Sequence, residues 1–312
     1  MKTAQRLALF TCVATLILVG VGALVRATGS GLGCPDWPTC HGGFVPPGDQ
    51  GHQPVIEFSH RFVASAVGLL VIATAVYAWK FYRHVPVVAW VAIATVPAVI
   101  GQGMLGAITV WTELPPEIVA THLLTAMGIL SMQVVVIVGM YRGDPDRPQT
   151  ALPLSPRVGR RALVAIGLFA VVLWIGGYMA ESGASTACSG WPLCNGSPLP
   201  AADELEITHM LHRLLAGLLV LPLGWLAVEL WRERGSLAWA PWIAISVVAL
   251  YGGQVMVGAF NVWFEFPDAL TVSHTAIAAA LWVAVSAAAA LSLLQPSQAL
   301  LPEAPAREAS PA

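Results

Sequence analysis

The chain has 312 residues, of which 57% are hydrophobic and only 10% charged, with a net charge of −2 and a mean hydropathy of +0.73. That balance excludes an ordinary soluble domain: the lipid bilayer is the partner that the composition demands, and no nucleic-acid partner is expected.

A run of about 20 mostly apolar residues crosses the hydrocarbon core. Eight such runs are present, near 7–25, 59–79, 86–110, 118–140, 162–180, 207–230, 239–263 and 269–293. Lipid offers no partners to unpaired backbone groups, and the runs are too long and continuous for barrel strands, so each predicts a helix. The first, 7–25, is long for a signal peptide and lacks a small-residue cleavage site, which predicts a retained span. Cys12 within it reads as an inert packing residue, and Arg26 stands at its end. A Cys-x5-Cys loop, Cys34 to Cys40, comes next, and Glu57, His60 and Arg61 open the second span. A Gly-Gln segment marks the third span, and His122 lies about one turn into the fourth.

A Pro- and Arg-rich stretch, 142–161, reads as a connector, after which the same order of signals returns: Cys188 to Cys194, His209, His212 and Arg213, a Gly-Gln segment, and His274. The tail from 294 to 312 is rich in Pro, Ala and Glu and has too little apolar surface to order itself. Basic loops stay in the cytoplasm. With the N-terminus inside, twelve of the fifteen basic residues fall inside, and Arg26, Arg61 and Arg213 are left at outer helix ends. Both termini are then cytoplasmic, and all four paired cysteines lie outside, where disulfides persist.

The repeat is visible residue by residue. Gly101-Gln102-x-Met104-x-Gly106-Ala107-x-x-Val110-Trp111 returns 152 residues later as Gly253-Gln254-x-Met256-x-Gly258-Ala259-x-x-Val262-Trp263. Cys34-x-x-Trp37-Pro38-x-Cys40 returns 154 residues later as Cys188-x-x-Trp191-Pro192-x-Cys194. Four spans per copy is an even number, so both copies face the same way. The expected architecture is an all-α integral membrane protein of eight transmembrane helices, built as two pseudo-twofold-related four-helix bundles: 1–141, the linker 142–161, then 162–293.

Each half carries two histidines 62 residues apart, His60 and His122, then His212 and His274, all near the outer face. Imidazole is a strong ligand of haem iron, cofactor sites in bundles arise from facing helices, and ionisable residues in membrane spans tend to be functional. One bis-histidine haem per half is the simplest assembly. Zinc, the rival metal, wants three or four convergent ligands, and each half offers two. Arg61 and Arg213 are candidate partners for haem propionates or for lipid headgroups, and Arg26 is a third candidate.

Each Cys-x5-Cys encloses a Trp-Pro turn, and a disulfide over the outer mouth suffices to explain each pair, stabilising by about 2 kcal/mol in the chain-entropy model. A redox role for Cys34 and Cys40 is the alternative. Mismatches between the copies assign the chemistry. Glu57 lies one turn before His60, where the second copy has His209, and Arg26 aligns with Ala180. A carboxylate at the lip of a haem pocket can exchange protons, whereas the bland reading of Glu57 is a solvated residue that complements the helix dipole. The first half is therefore expected to be reactive and the second to hold an electron-transfer or structural haem.

In this order, Glu57-Phe58-Ser59-His60-Arg61, Thr121-His122, His209-Met210-Leu211-His212-Arg213, Ser273-His274 and the outer cysteine loops resemble the heme A synthase family over nearly all of residues 1–293. The resemblance implies an oxidoreductase of the bacterial cytoplasmic membrane whose substrate, heme O, bears a farnesyl-type tail and is oxidised at its C8 methyl group to a formyl group. It implies that His60 and His122 bind heme O, that Glu57 is the catalytic carboxylate, that His212 and His274 hold a permanent haem b, and that Cys34–Cys40 and Cys188–Cys194 are disulfides. A heme O synthase and an electron acceptor or donor are the implied partners. Two other classes fit the histidines: a di-haem b-type electron carrier, which leaves the contrast between Glu57 and His209 unused, and a transporter, which would need binding groups near the midplane.

Overall fold

In the computed structural model, residues 2–46, 51–143, 154–235 and 237–294 are described. The chain folds into α1 (Lys2–Ala27), α2 (Gln53–Tyr82), α3 (Pro86–Trp111), α4 (Pro116–Arg142), α5 (Pro156–Glu181), α6 (Glu204–Leu218), α7 (Val220–Arg232), α8 (Ala240–Trp263) and α9 (Asp268–Leu293). Among the described residues there is no β-strand, only two isolated bridges. Eight helical stretches are long and apolar enough to cross a membrane, which makes this a multi-pass membrane protein. Half of the expected linker, 144–153, and the tail from 295 to 312, with Arg147 and Arg307, lie outside the described residues.

The helix ends follow from local chemistry. Proline occupies one of the first two positions of α2, α3, α4, α5 and α8, where its missing N–H has no intrahelical partner to lose. Asp203 caps α6, accepting from the backbone N–H groups of Leu205 (3.0 Å) and Glu206 (3.1 Å). The expected sixth span is broken at Leu219 into α6 and α7. Pro222, three residues on, cannot donate to the Leu218 carbonyl and crowds it. Leu70 stands at the matching place in the first copy, and α2 runs unbroken. Helices also begin earlier than hydropathy alone suggests: α2 starts at Gln53 rather than near 59, so His60 lies two turns inside it.

Helices adjacent in sequence pack side by side, and α1, α4, α5 and α9 form the seam at which the halves meet. The main apolar core straddles that seam, drawing Cys12 and Val19 from α1, Met127 and Leu130 from α4, Phe169 from α5, Leu226 from α7 and Trp282 from α9. A smaller core, around Ala78, Tyr82 and Val88, lies inside the first half. Polar groups fasten the seam: Trp282 Nε1 donates to the Met127 carbonyl and to Ser131 Oγ, both at 2.8 Å, and Ser131 meets Ser286 at 3.0 Å. Such interhelical bonds each contribute about 0.6 kcal/mol in a membrane. Cys12 is a free, buried thiol in this packing.

Candidate functional site

Alternating helices bring the segments 28–46, 51–52, 112–115, 182–203 and 264–267 to one end of the molecule, the loop face. His60 of α2, His122 of α4, His212 of α6 and His274 of α9 all lie within about two turns of it. Each is close enough to its partner in the same half for their charges to interact, His60 with His122 and His212 with His274. In all four rings Nδ1 is buried with no hydrogen-bond partner. Among the described residues no group of three or more His, Cys, Asp or Glu could hold a bare metal ion. Imidazoles in pairs, with no third protein ligand beside them among the described residues, fit iron whose remaining ligands come from a porphyrin.

Four glycines make room for these rings. A Cβ on Gly22 would stand 3.1 Å from His60 Cε1, and one on Gly106 would stand 3.1 Å from His122 Cε1. In the second half the pairs are Gly176 with His212 at 2.8 Å and Gly258 with His274 at 3.1 Å. Each imidazole therefore rests against the bare backbone of the preceding span, and even one methyl group there would push it. The sequence reading passed over these glycines. The signal was present, because Gly106 and Gly258 belong to the matched Gly-Gln segments, and Gly22 and Gly176 are 154 residues apart like the cysteine loops.

Both cysteine pairs are disulfides, Cys34–Cys40 and Cys188–Cys194. Each loop closes through a tight turn with consecutive positive φ angles, His41 and Gly42 in one, Asn195 and Gly196 in the other; Asn and Gly tolerate that backbone, and it suits a two-residue hairpin. Each is anchored by an edge-on pair of indoles, Trp37 on Trp111 at 6.1 Å and Trp191 on Trp263 at 5.7 Å between ring centroids. Those tryptophans sit in both matched motifs, yet nothing in the sequence says that they touch.

The loops differ in what holds them. Asp36 gathers the first, accepting from Thr39 Oγ1 and from the backbone N–H groups of His41 (2.6 Å) and Gly42 (2.9 Å). Those donors, Thr39 foremost, hold the Asp36 carboxyl down at about 2. Gly190 is the matching residue in the second loop. There Asn195 does the work, its Oδ1 accepting from Ser189 N at 3.0 Å and its Nδ2 donating to the Ala187 carbonyl and to Glu206.

Glu57 is 4% exposed, so it is not a solvated helix-start residue. One carboxylate oxygen accepts from Cys34 N at 2.7 Å, and the other pairs with Arg61. Arg61 in turn donates to the carbonyls of Asp36 (2.6 Å), Thr39 (2.7 Å) and Cys34 (3.0 Å). Its terminal nitrogens are thus committed to the loop. Arg213 Nη1 reaches the carbonyls of Pro192 and Leu193, both at 3.2 Å, and Met210 Sδ at 4.0 Å, while Nε and Nη2 are buried without partners. His209, the counterpart of Glu57, is 3% exposed. Arg26, at the end of α1, lies within electrostatic reach of Glu181 and of His274 in the second half.

The profile of the COX15-CtaA family, described as cytochrome oxidase assembly proteins, matches residues 5–286. The chain is 32% identical to the heme A synthase of Shouchella clausii over 83% of its own length and 91% of that protein's. It is 31% identical to the heme A synthase of Alkalihalophilus pseudofirmus over 88% and 93%, and 32% identical to that of Symbiobacterium thermophilum over 92% and 94%. With its eight apolar helices, its paired histidines and this match along most of its length, the chain belongs to the COX15-CtaA family.

Proposed function

We propose that the chain is a heme A synthase, an oxidoreductase acting on a methyl group: it converts the C8 methyl of heme O to a formyl group by successive hydroxylation. One observation carries the division of labour. Two histidine pairs are seated alike, yet only the first has a buried carboxylate one turn away. In this reading His60 and His122 take the iron of heme O and residues 1–141 form the substrate half. His212 and His274 hold a resident haem b in residues 162–293. When bound, haem b supplies a one-electron relay.

The protein's part is to position and to move protons. Arg61 and the Cys34 N–H fix the direction of the Glu57 carboxylate beside the first histidine pair, the position a general base requires. Glu57, one turn before His60 on α2 and buried, is the carboxylate placed to exchange protons with a bound substrate. The disulfide loop and its tryptophan cover the mouth. Arg213, with two unpartnered N–H-bearing nitrogens, and Arg26 suit the propionates of the second haem, whereas Arg61, the sequence's candidate in the first half, spends its terminal nitrogens on the loop carbonyls and Glu57. A lipid-soluble substrate enters from the bilayer, which makes a heme O synthase a candidate partner. Twelve of the fifteen basic residues support an orientation with the loop face outside and both termini in the cytoplasm of a bacterial cell.

The test is expression together with heme O production, followed by chromatography of the extracted haems. A formyl-bearing haem is expected. Recovery of heme O and haem b alone would overturn the reading in favour of an electron carrier.

A further inference from the structure

At the level of the histidines the two halves meet unequally. Trp174 of α5 donates its indole N–H to Thr121 Oγ1 of α4 at 3.2 Å. Thr121 is the residue before His122, and its own proton goes to the Glu117 carbonyl at 2.6 Å. The helices touch beside this bond, for a Cβ on Gly177 would stand 3.0 Å from Ala120 Cα. Tyr178 stacks on the indole, 5.7 Å between ring centroids and 15° from parallel. A second indole of the same half, that of Trp282 on α9, donates to the Met127 carbonyl and to Ser131 Oγ further along α4. The stretch of α4 that carries His122 is therefore held both before and after the ligand, and both donors belong to the other half.

At the matching places the first half has no indole to offer α9. Gly20 stands where the second half has Trp174, and Leu130 where it has Trp282. No atom lies within 4 Å of a Cβ built on Gly20. Ser273, the match of Thr121, donates to the Ala269 carbonyl of its own helix. A buried indole needs a partner for its N–H and fills a large volume, so two of them on one side of a duplicated seam call for a reason. Both are tied to the second pair of histidines. Trp174 lies two residues from Gly176, on whose bare backbone His212 rests, and Trp282 lies about two turns beyond His274 on α9, roughly 12 Å along the axis. A flat group clamped between His212 and His274 thus bears on α5 through Gly176 and on α9 directly, the two helices that present indoles to α4.

We infer that Trp174 is a positioning residue of the first site, and that through it the second site sets the grip of the first. Filling the second half orders the turn of α5 beneath His212, and the indole passes that order to the turn of α4 that bears His122. The inference rests on the heme A synthase reading, with His122 and His212 in different haem sites. A ligand turn that is already ordered loses less freedom on taking iron, so binding there costs less. The substrate site is then completed only in protein that already holds haem b, which prevents a chain without its electron relay from engaging heme O.

The test titrates heme O into the full chain, reading affinity from difference spectra and ligation from the low-spin resonance of the first site. Two backgrounds are compared, the wild type holding haem b and His274→Ala, which is expected to lack it. Heme O is expected to bind about tenfold more tightly to the first than to the second, within the usual range of coupling between sites. Trp174→Phe keeps a ring and removes the N–H. In protein that retains the haem b spectrum it is expected to cost that same factor of about ten, while leaving the affinity of His274→Ala unchanged. Equal affinity in the two backgrounds, equal weakening of both by Trp174→Phe, or no effect of Trp174→Phe on either would overturn the inference. Should Trp174→Phe shed haem b, Thr121→Val, which removes the acceptor and leaves the indole, is expected to abolish the difference between backgrounds, and its persistence would overturn the inference. The parent reading fails on a separate readout, the absence of a formyl-bearing haem from wild-type cells.

Discussion

In the N-terminal half the cysteine loop is bound to the histidine helix by charge: Glu57 takes the Cys34 N–H while Arg61, one turn on, donates to three loop carbonyls. In the C-terminal half His209 replaces the carboxylate, Arg213 reaches two carbonyls at longer range, and an amide, Asn195, holds the loop together. Yet the four glycine–imidazole contacts and the two indole pairs are shared. Duplication has thus kept the parts that seat the four imidazoles and anchor the two loops. What changed is the group beside each seat, a buried carboxylate in one half and a histidine in the other. In the proposed reading, holding is common to both halves while the chemistry belongs to one.

Removing the carboxylate should break the comparison most severely. Glu57→Ala is expected to lower heme A formation by at least about a hundredfold, the scale of a lost general base, while the haem b spectrum persists. Normal heme A levels in that variant would refute the role. Glu57→Gln sharpens the point, because its amide oxygen still accepts from Cys34 N. It should keep the loop but lose turnover, and a fully active Glu57→Gln would reduce Glu57 to a loop tether.

A methyl group on Gly176 should act on the other half. Its Cβ would stand 2.8 Å from His212 Cε1, so Gly176→Ala is expected to weaken haem b retention about tenfold and to disturb its low-spin spectrum. Gly20→Ala, with nothing within 4 Å of the new atom, serves as the silent control. Equal behaviour of the two variants would contradict the seating role.

The smallest effect concerns the loops. Asp36 is held near pH 2 by its donors, against about 3.9 when unfolded. A depressed carboxyl stabilises above its unfolded value and loses that contribution as pH falls through the folded one. At neutral pH, Asp36→Asn should let a phosphine reduce Cys34–Cys40 a few times faster, with Cys188–Cys194 unaffected. The wild type should converge on the variant as pH falls from about 4 to 2. Identical reduction rates at neutral pH would remove Asp36 from the account.

Much of this was legible in the sequence. Hydropathy located eight spans, the 62-residue interval paired the histidines, and the aligned contrast of Glu57 with His209 marked the half with the carboxylate. The break at Leu219 was missed because an apolar window averages over Pro222, whose effect is local. The role of Arg61 was not visible because the carbonyls that it gathers belong to a loop some 25 residues earlier, and only folding brings them together.

The central claim, that one half binds the haem to be changed and the other the haem that stays, is tested most directly by comparing the haem content of purified His60→Ala and His274→Ala proteins made alongside heme O. The account predicts that His60→Ala keeps the low-spin haem b spectrum and makes no heme A, whereas His274→Ala loses that spectrum. Loss of haem b from His60→Ala, or its retention in His274→Ala, would contradict it.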